Sequence, residues 1–245
     1  MDRVAEKIIL NNSVTDDTGK EYRLHSHTSR EQCEVLQQLI RDSKPKISLE
    51  IGFAYGISTL FICEALKEVN AEKHIIIDPF QEKSWKNIGL KNVRDAGYVD
   101  LVDFRSLSDY EILPQLLQQK IKIDFAYVDA SKVFDTIIIN AYYLTKMLNI
   151  GGIMVLDDCD WPGIRKACRL LAKHPSFKII QTFQADKENV KVKFLSKTLP
   201  YFPYAKKLFA NNLIETDEKL GVNYHCIAFR KVKEDDRNWD WFKDF

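Results

Sequence analysis

The chain has 245 residues, 45% of them hydrophobic and 11% aromatic, which is too rich in core-forming side chains for a disordered polypeptide. Its 36 Lys and Arg against 35 Asp and Glu leave a net charge of +1. No global field therefore draws in a phosphate backbone, and because basic residues are interleaved with acidic ones, nucleic acid is not an expected partner. Its apolar runs stop well short of the ~20 residues of a membrane span.

In chain order, Met1 to Asn12 carries Asp2, Arg3, Glu6 and Lys7 and lacks the apolar core of a signal peptide, so the expected location is the cytoplasm, away from membranes. The first 28 residues match no assignable pattern. Ser29 then reads as an N-cap with Gln32 at the capping-box position, opening a helix with an apolar stripe of Cys33, Leu36, Leu39 and Ile40. From residue 46 onward, runs rich in Ile, Val, Leu and Phe at 46–51, 73–78, 100–105, 121–129 and 152–157 alternate with helical patterns at 58–69, 82–96, 109–119, 133–148 and 161–173. Nearly continuous apolar strands in strict alternation with helices predict an α/β, doubly wound open sheet, mostly parallel, with helices on both faces. Residues 177–183 and 222–232 read as an antiparallel pair closing that sheet. Five cysteines without a C-x-x-C pair argue against a disulfide framework or structural zinc, and Cys33, Cys63 and Cys168 read as small core residues. The expected organisation is one domain over 1–245: a helical cap at 1–45, a core at 46–184, an insertion at 185–221 lying over the acceptor, and a last strand with an aromatic tail at 222–245.

Three places carry chemistry. In Glu50-Ile-Gly52-Phe-Ala-Tyr55-Gly56-Ile-Ser58 a buried strand ends, two glycines allow a tight turn and close approach of a ligand, and a helix begins whose free N–H groups favour a carboxylate or phosphate. The next strand ends in Asp78-Pro79, where an acid can accept hydrogen bonds from both ribose hydroxyls or simply cap the next helix. Two further strands end in Asp129 and in Asp157-Asp158. In a parallel sheet these three carboxylates share one edge and repel unless a cation or protons compensate them; an all-oxygen set suits Mg²⁺. The alternative is three unrelated helix caps, as Asp160 before Trp161-Pro162 looks to be.

The pattern E-x-G-x-x-x-G-x-S, rather than the G-x-G-x-x-G of a dinucleotide site, resembles the first motif of the class I S-adenosylmethionine-dependent methyltransferases, which have a Rossmann-like fold. That resemblance implies that Glu50, Gly52, Tyr55, Gly56 and Ser58 line the methionine half of the cofactor pocket, with Asp78 on the ribose and Asp129 close by. The third motif position, near residues 105–108, lacks the usual glycine and acid. The acidic set is similar to that of metal-dependent O-methyltransferases of the catechol and caffeoyl-CoA type and of the macrolide-sugar enzymes. This implies Asp129, Asp157 and Asp158 as Mg²⁺ ligands and Lys132, three residues after the first of them, as general base. A neighbouring cation and sulfonium would push such a lysine's pKa down. Asp135 stands where the catechol pattern often has Tyr, and Asp158 where it has Asn, which weakens an aromatic-diol assignment but not the metal.

The resemblance covers about residues 29–184 and the final strand; His25, His27, Tyr201, Phe202 and Tyr204 in the variable segments are candidate acceptor contacts or packing residues. The implied function is Mg²⁺-dependent O-methylation of a small hydroxylated metabolite, with a homodimer by family analogy. A metal-independent N- or O-methyltransferase and a non-catalytic cofactor-binding or scaffold protein are the alternatives. The tail aromatics Trp239, Trp241, Phe242 and Phe245 are expected to pack back over the sheet, or else to serve an interface.

Overall fold

The computed structural model describes residues 2–184 and 215–245; the insertion up to residue 214, with Tyr201, Phe202 and Tyr204, lies outside them. The chain runs α1 (Arg3–Asn11), β1 (Ser13–Thr15), β2 (Glu21–Arg23), α2 (Arg30–Ser43), β3 (Ile47–Ile51), α3 (Ile57–Glu68), β4 (Lys73–Ile77), α4 (Ile88–Asp95), β5 (Val102–Arg105), α5 (Asp109–Gln118), β6 (Ile123–Val128), α6 (Phe134–Met147), β7 (Leu148–Leu156), α7 (Pro162–Lys173), β8 (Phe177–Phe183), α8 (Asp217–Leu220) and β9 (Cys226–Lys231). Among the described residues no helix is long and apolar enough to cross a membrane.

Among the described residues, seven strands form one sheet in the order β5-β4-β3-β6-β7-β9-β8. Neighbours from β5 through β7 are parallel, whereas β9 runs antiparallel to both β7 and β8. The two C-terminal strands do pair, but the last strand in the chain slots inside the sheet and leaves β8 at the edge. Alternate residues of each strand feed opposite layers. Leu49, Ile51, Ala126 and Val128 pack with α5, α6 and α7 residues such as Leu113, Leu144 and Cys168. Phe125 and Tyr127 pack on the other face with Leu36, Ile40, Ile62 and Leu66 of α2 and α3. All five cysteines are free and buried, consistent with a packing role.

Several local expectations change. The N-terminal segment holds α1, capped by Asp2 through Val4 and Ala5 N–H, and the β1–β2 hairpin, neither of which the sequence pattern revealed. The helix expected at 82–96 begins at Ile88, because Lys86 and Asn87 take positive φ of 53° and 58°, a left-handed conformation no helix continues through. Ser29 caps α2, yet Gln32 does not complete a capping box; its side chain goes instead to the Tyr127 hydroxyl, 3.3 Å away. Asp160 does not cap α7, whose N-cap is Trp161; its carboxylate meets His225 Nδ1 at 2.9 Å. The aromatic tail lies along α7 rather than over the sheet. Lys166 Nζ sits 5.0 Å from the Phe245 ring centroid and Trp241 faces His174, while Trp239 and Phe242 remain exposed.

Candidate active site

The carboxyl edge of the sheet is levelled by one hydrogen bond beyond the end of each parallel strand. Asp78 N–H donates to Arg105 O (3.1 Å), Gly52 N–H to Ile77 O (3.0 Å), Asp129 N–H to Ile51 O (2.9 Å) and Asp157 N–H to Val128 O (3.0 Å). Four residues far apart in the chain thereby stand side by side along one rim, where open α/β sheets bind ligands.

Gly52 has φ +95°, and a Cβ built on it would lie 1.9 Å from the Asp129 carbonyl oxygen. The loop it begins is closed by Gly56, which has φ +78°, caps α3 and donates to Phe53 O at 2.7 Å. The N–H groups expected to be free for a ligand are in part engaged. Asp78 Oδ2 accepts from Phe53 and Ala54 N–H at 3.0 Å each, and Oδ1 accepts from Phe80 N–H at 2.7 Å. Asp78 thus clamps the loop to the end of β4. Glu50 lies beneath it, fully buried, with Oε1 taking the Ser58 hydroxyl at 2.5 Å and Oε2 the Thr59 hydroxyl at 2.6 Å and His74 Nε2 at 3.0 Å. Such a carboxylate, satisfied on both oxygens, fixes the start of α3 against β3 and β4.

Further along the rim, acids and cations interlock. Lys132 Nζ bridges Asp129 Oδ1 at 2.7 Å and Asp158 Oδ2 at 2.5 Å. Burial works against its ammonium, but Asp129 and Asp158 outweigh burial and raise the pKa above the ordinary lysine value. This reverses the downward shift the sequence suggested, which presumed a second cation beside it. Asp157 is 4% exposed; burial, and then the charges of Asp129 and Asp158, push its carboxyl up to about 6. Its Oδ2 accepts the Tyr127 hydroxyl at 2.8 Å and its Oδ1 the Asp158 N–H at 2.7 Å. Tyr127, completely buried, also meets Thr28 and Gln32, tying the cluster to the start of α2. Burial raises the phenol's pKa well above its usual value, keeping it a donor.

His225, directly before β9, brings Nε2 to 3.5 Å from Asp157 Oδ1 and 3.6 Å from Asp158 Oδ1. Asp157, Asp158 and His225 each offer a ligand atom within 4.8 Å of the others, and Asp129 joins through the shared ammonium. The donor set thus fits a divalent cation: carboxylate oxygens for a hard ion, plus one imidazole nitrogen.

These groups open onto a cavity of about 920 Å³, ample for a nucleoside-sized ligand and a small second molecule. Of the residues singled out in the sequence, Gly52, Tyr55, Ser58, Asp78, Asp129, Lys132, Asp157 and Asp158 are on its wall, while Glu50 and Gly56 lie behind it. His27 reaches the wall, and His25 stands behind Tyr55, with Nε2 3.0 Å from the phenol oxygen. Ser108, Asp109 and Tyr110 also line it, so an acid does stand beside the third strand end, one residue past the stretch that lacked one. Trp85, edge-on to Tyr55 at 4.9 Å, Tyr127 and His225 carried no sequence signal. Trp85 falls in a stretch that read as ordinary helix, and His225 is joined to the acids only by strand pairing.

Residues 49–159 match the methyltransferase domain family. Tricin synthase 1 of Oryza sativa subsp. japonica is 30% identical over 142 residues, covering 56% of this chain and 54% of that protein. Caffeoyl-CoA O-methyltransferase 1 of Eucalyptus globulus is 28% identical over 138 residues, covering 56% and 54%. The chain therefore spans about half the length of the curated relatives it matches. Among solved structures, an O-methyltransferase from Bacillus cereus in complex with SAH aligns with TM-score 0.60 at 21% identity, covering 75% of this chain and 86% of that one. At that identity the likeness is one of fold.

Proposed function

We infer, from the methyltransferase domain at residues 49–159 and the class I fold around it, that this chain is an S-adenosylmethionine-dependent O-methyltransferase for a small hydroxylated acceptor, aided by a divalent cation. The observation that carries the reading is the meeting of Asp129, Asp157 and Asp158 on the wall of the cavity that also holds Gly52 and Asp78. The glycine turn lets a ligand lie against the main chain. Asp78 already accepts three backbone N–H groups and, at 3.4 Å, the Gln81 amide, which leaves one lone pair, on Oδ1, for a ribose hydroxyl.

Asp129, Asp157 and Asp158 would hold the ion, Mg²⁺ in the simplest case. When bound, it supplies Lewis-acid lowering of an acceptor hydroxyl's pKa. With Asp129 and Asp158 engaged elsewhere and no longer stabilising its ammonium, Lys132 would first lose a proton to solvent and would then take the acceptor proton at Nζ. Bound there, S-adenosylmethionine would supply the methyl group to the acceptor oxygen, with S-adenosylhomocysteine as the leaving group. Tyr127 and Glu50 contribute by holding the site's acids and the start of α3 in place, so that the reactants meet in a fixed orientation.

The test is calorimetric titration with S-adenosylhomocysteine, together with its release from S-adenosylmethionine on a panel of hydroxylated metabolites, with and without EDTA. Binding heat, and turnover that EDTA or Asp157→Ala abolishes, are expected. Absence of heat would overturn the cofactor reading. A metal-independent methyltransferase is the second reading, favoured by Lys132 supplying a cation to Asp129 and Asp158 itself; full turnover in EDTA would select it.

A further inference from the structure

We propose that His225 is a ligand of the cation site, making the site one of mixed nitrogen and oxygen donors that prefers a first-row transition ion, with Mn²⁺ as the probe, over Mg²⁺. The inference rests on the divalent-cation reading and concerns a residue outside the acidic set on which that reading stands. Two independent features carry it. Nδ1 of His225 lies 2.9 Å from Asp160 Oδ1. A carboxylate oxygen accepts, so Nδ1 bears the hydrogen and a neutral ring keeps its lone pair on Nε2. Nε2 makes no hydrogen bond among the described residues; it points at Asp157 and Asp158, at 3.5 and 3.6 Å. A carboxylate behind one ring nitrogen with the other nitrogen turned toward acidic ligands is the arrangement by which proteins orient and strengthen a metal-binding imidazole.

The ring is also rigidly placed. Cys159 N–H donates to His225 O at 2.6 Å and His225 N–H to Phe183 O at 3.0 Å, so the residue is stitched between the β7 end and β8. Its side chain is 14% exposed. Dispensing with this ring would leave an all-oxygen site suited to Mg²⁺; adding its nitrogen shifts affinity toward ions later in the first transition row, whereas Mg²⁺ gains little from imidazole.

The experiment titrates tag-free, EDTA-stripped protein with MnCl₂ and, separately, MgCl₂ by calorimetry, and records pulsed electron paramagnetic resonance of the Mn²⁺ complex. The expected result is ¹⁴N modulation from imidazole in the wild type, lost in His225→Ala. That variant should bind Mn²⁺ more weakly by at least the roughly 10–100-fold that loss of an outer-shell partner costs, with Mg²⁺ affinity little changed. Asp160→Asn should weaken Mn²⁺ binding while keeping the ¹⁴N signal. Mn²⁺ bound without ¹⁴N coupling, or coupling that persists in His225→Ala, overturns this inference and leaves the cation reading standing. Failure of both ions to bind the wild type overturns both. If His225→Ala does not fold, His225→Gln supplies the same comparison, and ¹⁴N imidazole coupling that persists in it overturns the inference.

Discussion

The α-carbon of Gly52 presses against the carbonyl of Asp129 so closely that a methyl group there would stand 1.9 Å from the oxygen. The glycine at the head of the motif is thus required by contact between two strands, before any ligand arrives. Because Gly52 also holds φ at +95°, Gly52→Ala meets both a collision and a disfavoured backbone. It should destabilise the protein by roughly 3 kcal/mol or more, lowering the melting temperature by about 6 °C or more. A melting point unchanged in scanning calorimetry would mean that β3 and β6 separate easily.

Lys132→Met removes the ammonium shared by Asp129 and Asp158. If Lys132 takes the acceptor proton, turnover should fall by about 10²–10⁴-fold, with S-adenosylhomocysteine affinity within about threefold of wild type. Loss of cofactor affinity in step with turnover would assign Lys132 to binding instead.

Tyr127→Phe deletes a buried hydroxyl bonded to Asp157 and close to Thr28 and Gln32. Polar partners left unsatisfied inside the protein should cost about 1–3 kcal/mol, measured by urea unfolding at pH 7. A smaller change would show that α2 reaches the acid cluster by packing alone.

His174, 5% exposed, has its pKa pulled down to about 4 by burial and then by the charge of Arg237, with Asp235 opposing. The unfolded chain therefore binds this proton near pH 6.5 and the folded one near 4. Stability tied to His174 is complete above about pH 6.5 and drains away as pH falls toward 4, by up to about 3 kcal/mol. His174→Gln should flatten that part of the urea-midpoint profile; an equally steep profile in the variant would locate the acid sensitivity elsewhere.

Much of the fold was legible because its signals are local. Apolar runs at 46–51 and 73–78 became β3 and β4, and acids directly following strands stayed at strand ends. Where several local signals compete, the reading slipped: Trp85 fell in a helical pattern that the left-handed Lys86 and Asn87 interrupt, and Gln32 satisfied the capping-box spacing yet found Tyr127 instead. Glu50 sits in the motif but not on the cavity wall, since residues alternate across a strand and its side faces Ser58, Thr59 and His74.

The sequence by itself determined the alternation of strand and helix, the glycine turn, and the set of acids at the carboxyl ends, because each is written in neighbouring residues and their period. Only the tertiary structure decided that β9 enters between β7 and β8, carrying His225 to Asp157 and Asp158, and that Lys132 lies between Asp129 and Asp158. Those meetings depend on hydrogen-bond register between distant strands and on burial that makes charges seek partners, neither of which has a signature in any one stretch of chain.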